Sequence, residues 1–199
     1  MRFAIFASGH GGNVQAIINA VRKKKIKADL NLVFSDKANA FALKRAQKAK
    51  IPTLHLNPKD YAGREDFDRA VLAYLKEHGI DFIVLAGYMR LLSGHFIRQY
   101  QDRILNVHPA LLPAFKGAQG IRDAFDYGVK VTGVTVHFVV EAMDSGAIIL
   151  QEAVNVGPKD TLESLESKIH AIEHRIYPQA IGLFACGKLN IKGQKVFLH

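Results

Sequence analysis

Three residues from two separate parts of the chain are of the types that acyl transfer requires. Asn106 and His108 stand two positions apart in Asn106-Val107-His108, at the end of the apolar run Ile104 to Val107. An extended chain turns both side chains to one face. An amide donor beside an imidazole can hold the oxyanion that forms when a nucleophile adds to a carbonyl. Asp144, in Met143-Asp144-Ser145-Gly146, is the carboxylate that would pair with the imidazole and orient its ring. Pro109-Ala110-Leu111-Leu112-Pro113 gives the chain leaving His108 a stiff path. No serine or cysteine sits in a nucleophile elbow, so direct transfer through a tetrahedral intermediate is favoured over a covalent enzyme intermediate. The alternative is structural: the amide and imidazole satisfy backbone groups at a strand end, and Asp144 makes a turn.

A second constellation suits an anion. Ser8-Gly9-His10-Gly11-Gly12-Asn13 lies between the apolar run Arg2 to Ala7 and the helical spacing of Val14, Ile17, Ile18 and Val21. Glycines at a strand-to-helix turn let main-chain amides approach a phosphate, and the helix that follows presents unpaired N–H groups. The loop lacks both the Walker lysine and the full dinucleotide spacing. Here too a plain tight turn, with Asn13 as the helix cap, remains open.

Those residues need a sheet to position them, and the chain supplies the pattern for one. Apolar runs at Leu30 to Phe34, Pro52 to Leu56 and Asp81 to Gly87 alternate with helical stretches at Ala38 to Lys48 and Arg64 to His78. The βαβα order predicts a parallel, doubly wound sheet with helices on both faces. After Ile104 to Val107 the pattern changes. Val131 to Val140 and Ala147 to Val156 read as an antiparallel pair, followed by a helix from Thr161 to Phe184 kinked at Pro178. The tail from Gly187 to His199 reads as a short hairpin. The expected fold is therefore α/β: a Rossmann-like, mostly parallel twisted sheet with an antiparallel C-terminal portion.

Composition narrows the function classes. With 199 residues, 49% hydrophobic, the chain has the length and apolar content for one α/β domain, which we expect over residues 1–199. Residues 1–100 would form a phosphate-binding half and residues 101–199 a catalytic half. The single cysteine excludes an internal disulfide framework and suits the cytoplasm, which the short, glycine-interrupted N-terminal run also favours. A net charge of +9 invites a nucleic-acid reading. The charge, however, gathers in Arg22, Lys23, Lys24, Lys25 and Lys27 at a helix end and in a tail with no acidic residue after Glu173, without interleaved aromatics to stack bases. A small anionic substrate accounts for the balance, with no nucleic acid and no membrane as partner.

Asn106-Val107-His108-Pro109-Ala110-Leu111-Leu112-Pro113 closely resembles the signature of folate-dependent formyltransferases. Gly133-Val134-Thr135-Val136-His137-Phe138-Val139 with Met143-Asp144-Ser145-Gly146 looks like their second motif. The glycine loop, Leu85-Ala86-Gly87-Tyr88-Met89-Arg90-Leu91-Leu92 and Glu173-His174-Arg175-Ile176-Tyr177-Pro178 are similar to the branch that acts on glycinamide ribonucleotide. The resemblance implies that Gly11, Gly12 and Asn13 hold the substrate phosphate and that Glu173 binds the ribose. It implies a pocket for 10-formyltetrahydrofolate, the co-substrate, lined by Arg64, Met89, Arg90, Leu92, Val140, Glu141, Ala142 and Met143. Asn106 and His108 would stabilise the oxyanion, with Asp144 supporting proton transfer. No metal is implied, and a monomer or homodimer is expected.

Two departures stand out. The family loop usually has serine where this chain has Gly12, and Gly117-Ala118-Gln119-Gly120-Ile121-Arg122 lacks histidines that some members carry. Competing readings are weaker. His170-Ala171-Ile172-Glu173-His174 matches an inverted zinc-peptidase pattern, but no acidic ligand follows Glu173. A methionyl-tRNA formyltransferase or a deformylase would need a further domain. A non-catalytic nucleotide-binding module would leave Asn106, His108 and Asp144 without a role.

Overall fold

The first strand shows how the sheet is covered on both sides. In β1 (Arg2–Phe6), Phe3 and Ile5 enter one apolar core while Ala4 and Phe6 enter another. Alternation along a fully buried strand requires that division. The computed structural model describes residues 1–198, so His199, at the end of the expected hairpin, lies outside the described residues.

The remaining strands are β2 (Asp29–Ser35), β3 (Thr53–His55), β4 (Phe82–Leu85), β5 (Ile104–His108), β6 (Val131–Phe138), β7 (Ile148–Asn155), β8 (Leu189–Lys192) and β9 (Lys195–Leu198). Their order in the sheet is β3-β2-β1-β4-β5-β6-β7-β9-β8. Strands β3 to β5 in that order run parallel, and β6 and β7 are antiparallel to their predecessors. The β8–β9 hairpin joins β7 through one pair, Ile148 with Lys195. The expected mostly parallel sheet with an antiparallel end is what forms.

Helices α1 (Gly12–Arg22), α2 (Phe41–Lys48) and α6 (Leu162–Ala185) cover the first core, and α3 (Arg64–Glu77) and α4 (Gly94–Gln99) cover the second. The expected apolar stripe of α6 is buried at Leu165, Ile169, Ile172 and Ile176. The helix runs on through Pro178, where a kink was expected, as one element to Ala185. Proline costs that helix only the bond to the His174 carbonyl, and packing on both sides of it keeps the helix together. Helices α4 and α5 (Gly120–Tyr127) were not expected: at 6 and 8 residues they are too short for a periodic stripe to register. No helix among the described residues is long and apolar enough to cross a membrane.

The chain leaves β1 toward β2 on one side and returns to β4 on the other. This reversal opens a crevice at the carboxyl ends of β1 and β4, where open α/β sheets bind ligands. The glycine loop follows β1, residues 86–92 follow β4, and β5 ends at His108 beside them.

Candidate active site

The expected same-face pair extends across two strands. Asn106 is registered with His137 and His108 with Thr135, so four polar side chains line one face where β5 meets β6. The register of β6 with β7 slips between Val136 and His137. Such bulges redirect a side chain, and here they do so next to the turn carrying Asp144.

Hydrogen bonding fixes the state of His137. Its Nδ1 lies 2.8 Å from the Phe138 carbonyl and its Nε2 lies 3.2 Å from Asn106 Nδ2. A carbonyl only accepts and an amide nitrogen only donates, so Nδ1 carries the proton and Nε2 accepts. Asp144 Oδ1, 3.6 Å from Nε2, therefore faces an uncharged ring. Burial lowers the His137 pKa against the Phe138 bond and the Asp144 charge. His137 was not among the expected site residues, although it stands in the second motif.

His108 is 3% exposed, with Nδ1 3.5 Å from Asp144 Oδ2 and Nε2 2.7 Å from the Phe115 carbonyl. Asp144 Oδ2 also accepts the Gly117 N–H at 2.9 Å. Asp144 thus ties the loop after β5 to the turn after β6, and Asn106, His108 and Asp144 converge. Nε2 of His108 reaches a reacting oxygen only when the Phe115 carbonyl moves off it, whereas Asn106 keeps an amide hydrogen with no partner among the described residues. Thr135 secures the stiff turn from beneath: its hydroxyl donates to the Ala110 carbonyl at 2.7 Å and accepts from Leu112 N–H and Gln151 Nε2.

Because an unfolded chain protonates His137 at its ordinary value of 6.5 while the folded chain holds it neutral, stability is full above that value. It falls as pH is lowered from there toward the depressed folded-state pKa, since the unfolded state takes up the proton first. The urea midpoint of the wild-type protein should therefore drop more between pH 7 and about 5.5 than that of His137→Gln. Equal drops in the two proteins would count against a buried neutral His137. The raised pKa of His170, held by its bond to Glu173, works in the opposite sense but equally in both proteins.

At the glycine loop the cap is Gly11, not Asn13. Gly11 has φ 76°, and a Cβ there would meet Ala42 Cα at 2.8 Å, so α2 packs directly against the loop. The first main-chain bond of α1 runs from Gln15 N–H to Gly11 O, and no side chain caps the helix. The N–H groups of Gly12, Asn13 and Val14 therefore have no protein acceptor among the described residues. Asn13 turns its side-chain Nδ2 to Glu173 Oε2 at 3.0 Å, which leaves its Oδ1 buried without a partner. Glu173, 4% exposed, also takes His170 Nδ1 at 2.9 Å. One turn later Tyr177, fully buried, donates to the carbonyls of Leu85 and Leu105 at 2.8 and 2.9 Å. That contact anchors Glu173 beneath the ends of β4 and β5.

The expected folate residues lie on segments flanking the crevice. Met89 is 69% exposed and Met143 53%, on the loops after β4 and β6. Exposed side chains of this size leave apolar surface that a ligand could cover. Met89 N–H is held 3.0 Å from Ser8 Oγ, and Arg90 stacks over the Phe67 ring at 5.0 Å. Leu92 is half-buried; Val140 begins the turn, Glu141 pairs with Arg98, and Ala142 is exposed. Arg64 is exposed at the start of α3, and no hydrogen bond or ion pair joins it to the other site residues. Among the described residues no cluster of His, Cys, Asp or Glu is arranged to hold a metal.

The formyl transferase family model matches residues 1–181. A phosphoribosylglycinamide formyltransferase of Bacillus subtilis is 41% identical over 98% of this chain and 98% of its own. A trifunctional purine biosynthetic protein adenosine-3 of Gallus gallus is 44% identical over 96% of this chain, which spans only 19% of that relative's length. The crystal structure of glycinamide ribonucleotide transformylase 1 from Symbiobacterium toebii superimposes with a TM-score of 0.97 at 47% identity, over 100% of this chain and 93% of the other.

Proposed function

We infer the reaction from one premise: this chain belongs to the formyl transferase family. We assign it the reaction for which its relatives are named, phosphoribosylglycinamide formyl transfer, with 10-formyltetrahydrofolate as the donor. The acceptor amine adds to the formyl carbon, a C–N bond forms, and the oxygen becomes an oxyanion. The bond from carbon to the folate nitrogen then breaks, and the proton lost by the amine ends on that nitrogen.

The observation that carries this reading is the convergence of Asn106, His108 and Asp144 in the same crevice as the uncapped start of α1. Asn106, with an amide hydrogen free, donates to the oxyanion. His108 joins it once the Phe115 carbonyl releases Nε2, and Asp144 holds the ring and compensates its positive charge. His137 keeps the Asn106 amide turned the right way by accepting its other hydrogen. The main-chain N–H groups of Gly12, Asn13 and Val14 take the acceptor's phosphate. Glu173 and the orphan Asn13 Oδ1 are acceptors for ribose hydroxyls. Met89, Arg90, Leu92, Arg64 and the turn from Val140 to Met143 surround the folate. The lone, exposed Cys186 suits a reducing cytosol, where we place the enzyme.

The test is acceptor-dependent consumption of 10-formyltetrahydrofolate, with glycinamide ribonucleotide, formyl-accepting methionyl-tRNA and water compared side by side. We expect product only with the first. Turnover with either of the others, and none with glycinamide ribonucleotide, would overturn the assignment.

A further inference from the structure

Position 12 has no side chain, and the tip of the His174 ring crowds the space one would enter. A Cβ built on Gly12 would meet His174 Nε2 at 3.0 Å and Cε1 at 3.5 Å. The α6 imidazole thus lies edge-on over the first turn of α1, beside the main-chain N–H groups that have no acceptor. Its neighbour His170, one turn earlier and 6.4 Å away between ring centroids, is spent on Glu173. The His174 ring has no hydrogen-bond partner among the described residues.

Electrostatics make this placement informative. The start of a helix carries partial positive charge and disfavours a cation. Arg45 and His170 add positive charge on the same side, and the carboxylate facing them, Glu173, already accepts from His170 and Asn13. Partial loss of water around the exposed ring lowers the His174 pKa, with His170 and Arg45 adding to the effect and Glu173 opposing it. An uncharged ring with a proton on Nε2 can remain there as a donor. A cavity of about 900 Å³ between α1 and α6 opens at Gly12, Arg45 and His174 and leaves room for an anion.

We propose that His174 Nε2 donates a hydrogen bond to the acceptor's phosphate, taking the place of a hydroxyl at position 12, and thereby sets the preference for a phosphorylated over an unphosphorylated acceptor. The inference rests on the proposed reaction for the identity of the acceptor, but its binding test does not. Because the side chain is exposed, its removal leaves the fold in place.

His174→Ala should raise KM for glycinamide ribonucleotide about tenfold, the loss expected for one hydrogen bond to a charged group, with the effect carried by KM. The same substitution should leave kcat/KM for unphosphorylated glycinamide riboside within about twofold. Gly12→Ser in the His174→Ala protein, where the ring no longer fills the space, should restore KM to within about threefold of wild type. Equal losses for both acceptors, or no loss for the phosphorylated one, would overturn the proposal. Independently of turnover, inorganic phosphate should shift the His174 Cε1–H resonance of the wild-type protein in a ¹³C-edited NMR titration. An unmoved His174 resonance would refute the contact, whereas a wild-type protein that shifts but transfers no formyl group would refute the proposed reaction instead.

Discussion

Asp144→Asn should lower kcat for formyl transfer by about two to three orders of magnitude while leaving the thermal unfolding midpoint nearly unchanged. The substitution is nearly isosteric. Asparagine accepts the left-handed φ of 49° found at this position as readily as aspartate does, and its side-chain oxygen can still take the Gly117 N–H. What disappears is the negative charge 3.5 Å from His108 Nδ1. His108 and Asp144 are both nearly removed from water, and a charge there acts through a medium that screens it poorly. Without it the imidazole keeps a neutral oxygen beside Nδ1 but loses the compensation for positive charge as the oxyanion forms. Steady-state kinetics with glycinamide ribonucleotide and 10-formyltetrahydrofolate reads the first effect, and circular dichroism melting reads the second. Near-normal kcat would remove Asp144 from the reaction. Asp144→Ala is the poorer probe, because alanine adds a left-handed strain of about 1 kcal/mol to the lost charge.

Strand alternation was enough to place Asn106 and His108 on one face, and the glycine loop was enough to mark the start of α1. Both are local signals, carried by residues within a few positions of one another. His137 and Thr135 have the same alternation in β6, with Val134, Val136 and Phe138 turned to the core. The signal existed, but its meaning depended on which strand pairs with β5, and pairing is not local. The alternative reading of that loop, with Asn13 as the helix cap, fails for a related reason. Asn13 is a good capping residue by type, yet the partner that claims its side chain, Glu173, lies 160 residues away. Likewise the doubly wound sheet read from the βαβα alternation implies a reversal of strand order, but not that β4 is the strand that makes it, beside β1, where the crevice opens. The Phe115 carbonyl on His108 Nε2 belongs to the same class, since it depends on how the loop after β5 folds back.

Gly146→Ala should be the most damaging single methyl group in this part of the chain. A Cβ on Gly146 would overlap the carbonyl oxygen of Phe138 and crowd its carbon at 2.8 Å. Backbone on the opposite strand cannot swing aside as the end of a side chain can. Phe138 also bonds through its other main-chain group: its N–H donates to the Ala147 carbonyl at 2.9 Å, closing the turn between β6 and β7. Its carbonyl, moreover, is the acceptor that sets the His137 tautomer. Accommodating the methyl group means opening that turn, and the turn carries Asp144. The expected cost in folding stability is at or above the upper end, roughly 3 kcal/mol, of the usual overpacking range, read as a lowered urea midpoint. Activity should fall with it even at temperatures where the variant stays folded, because Asp144 and His137 would be displaced together. Gly9→Ala is the matched control: no atom lies within 4 Å of a Cβ built there, so its stability should stay within about 0.5 kcal/mol of wild type. A Gly146→Ala protein as stable as that control would show that the turn tolerates a shift the geometry forbids. Asp144 would then not depend on the closure of the β6–β7 turn.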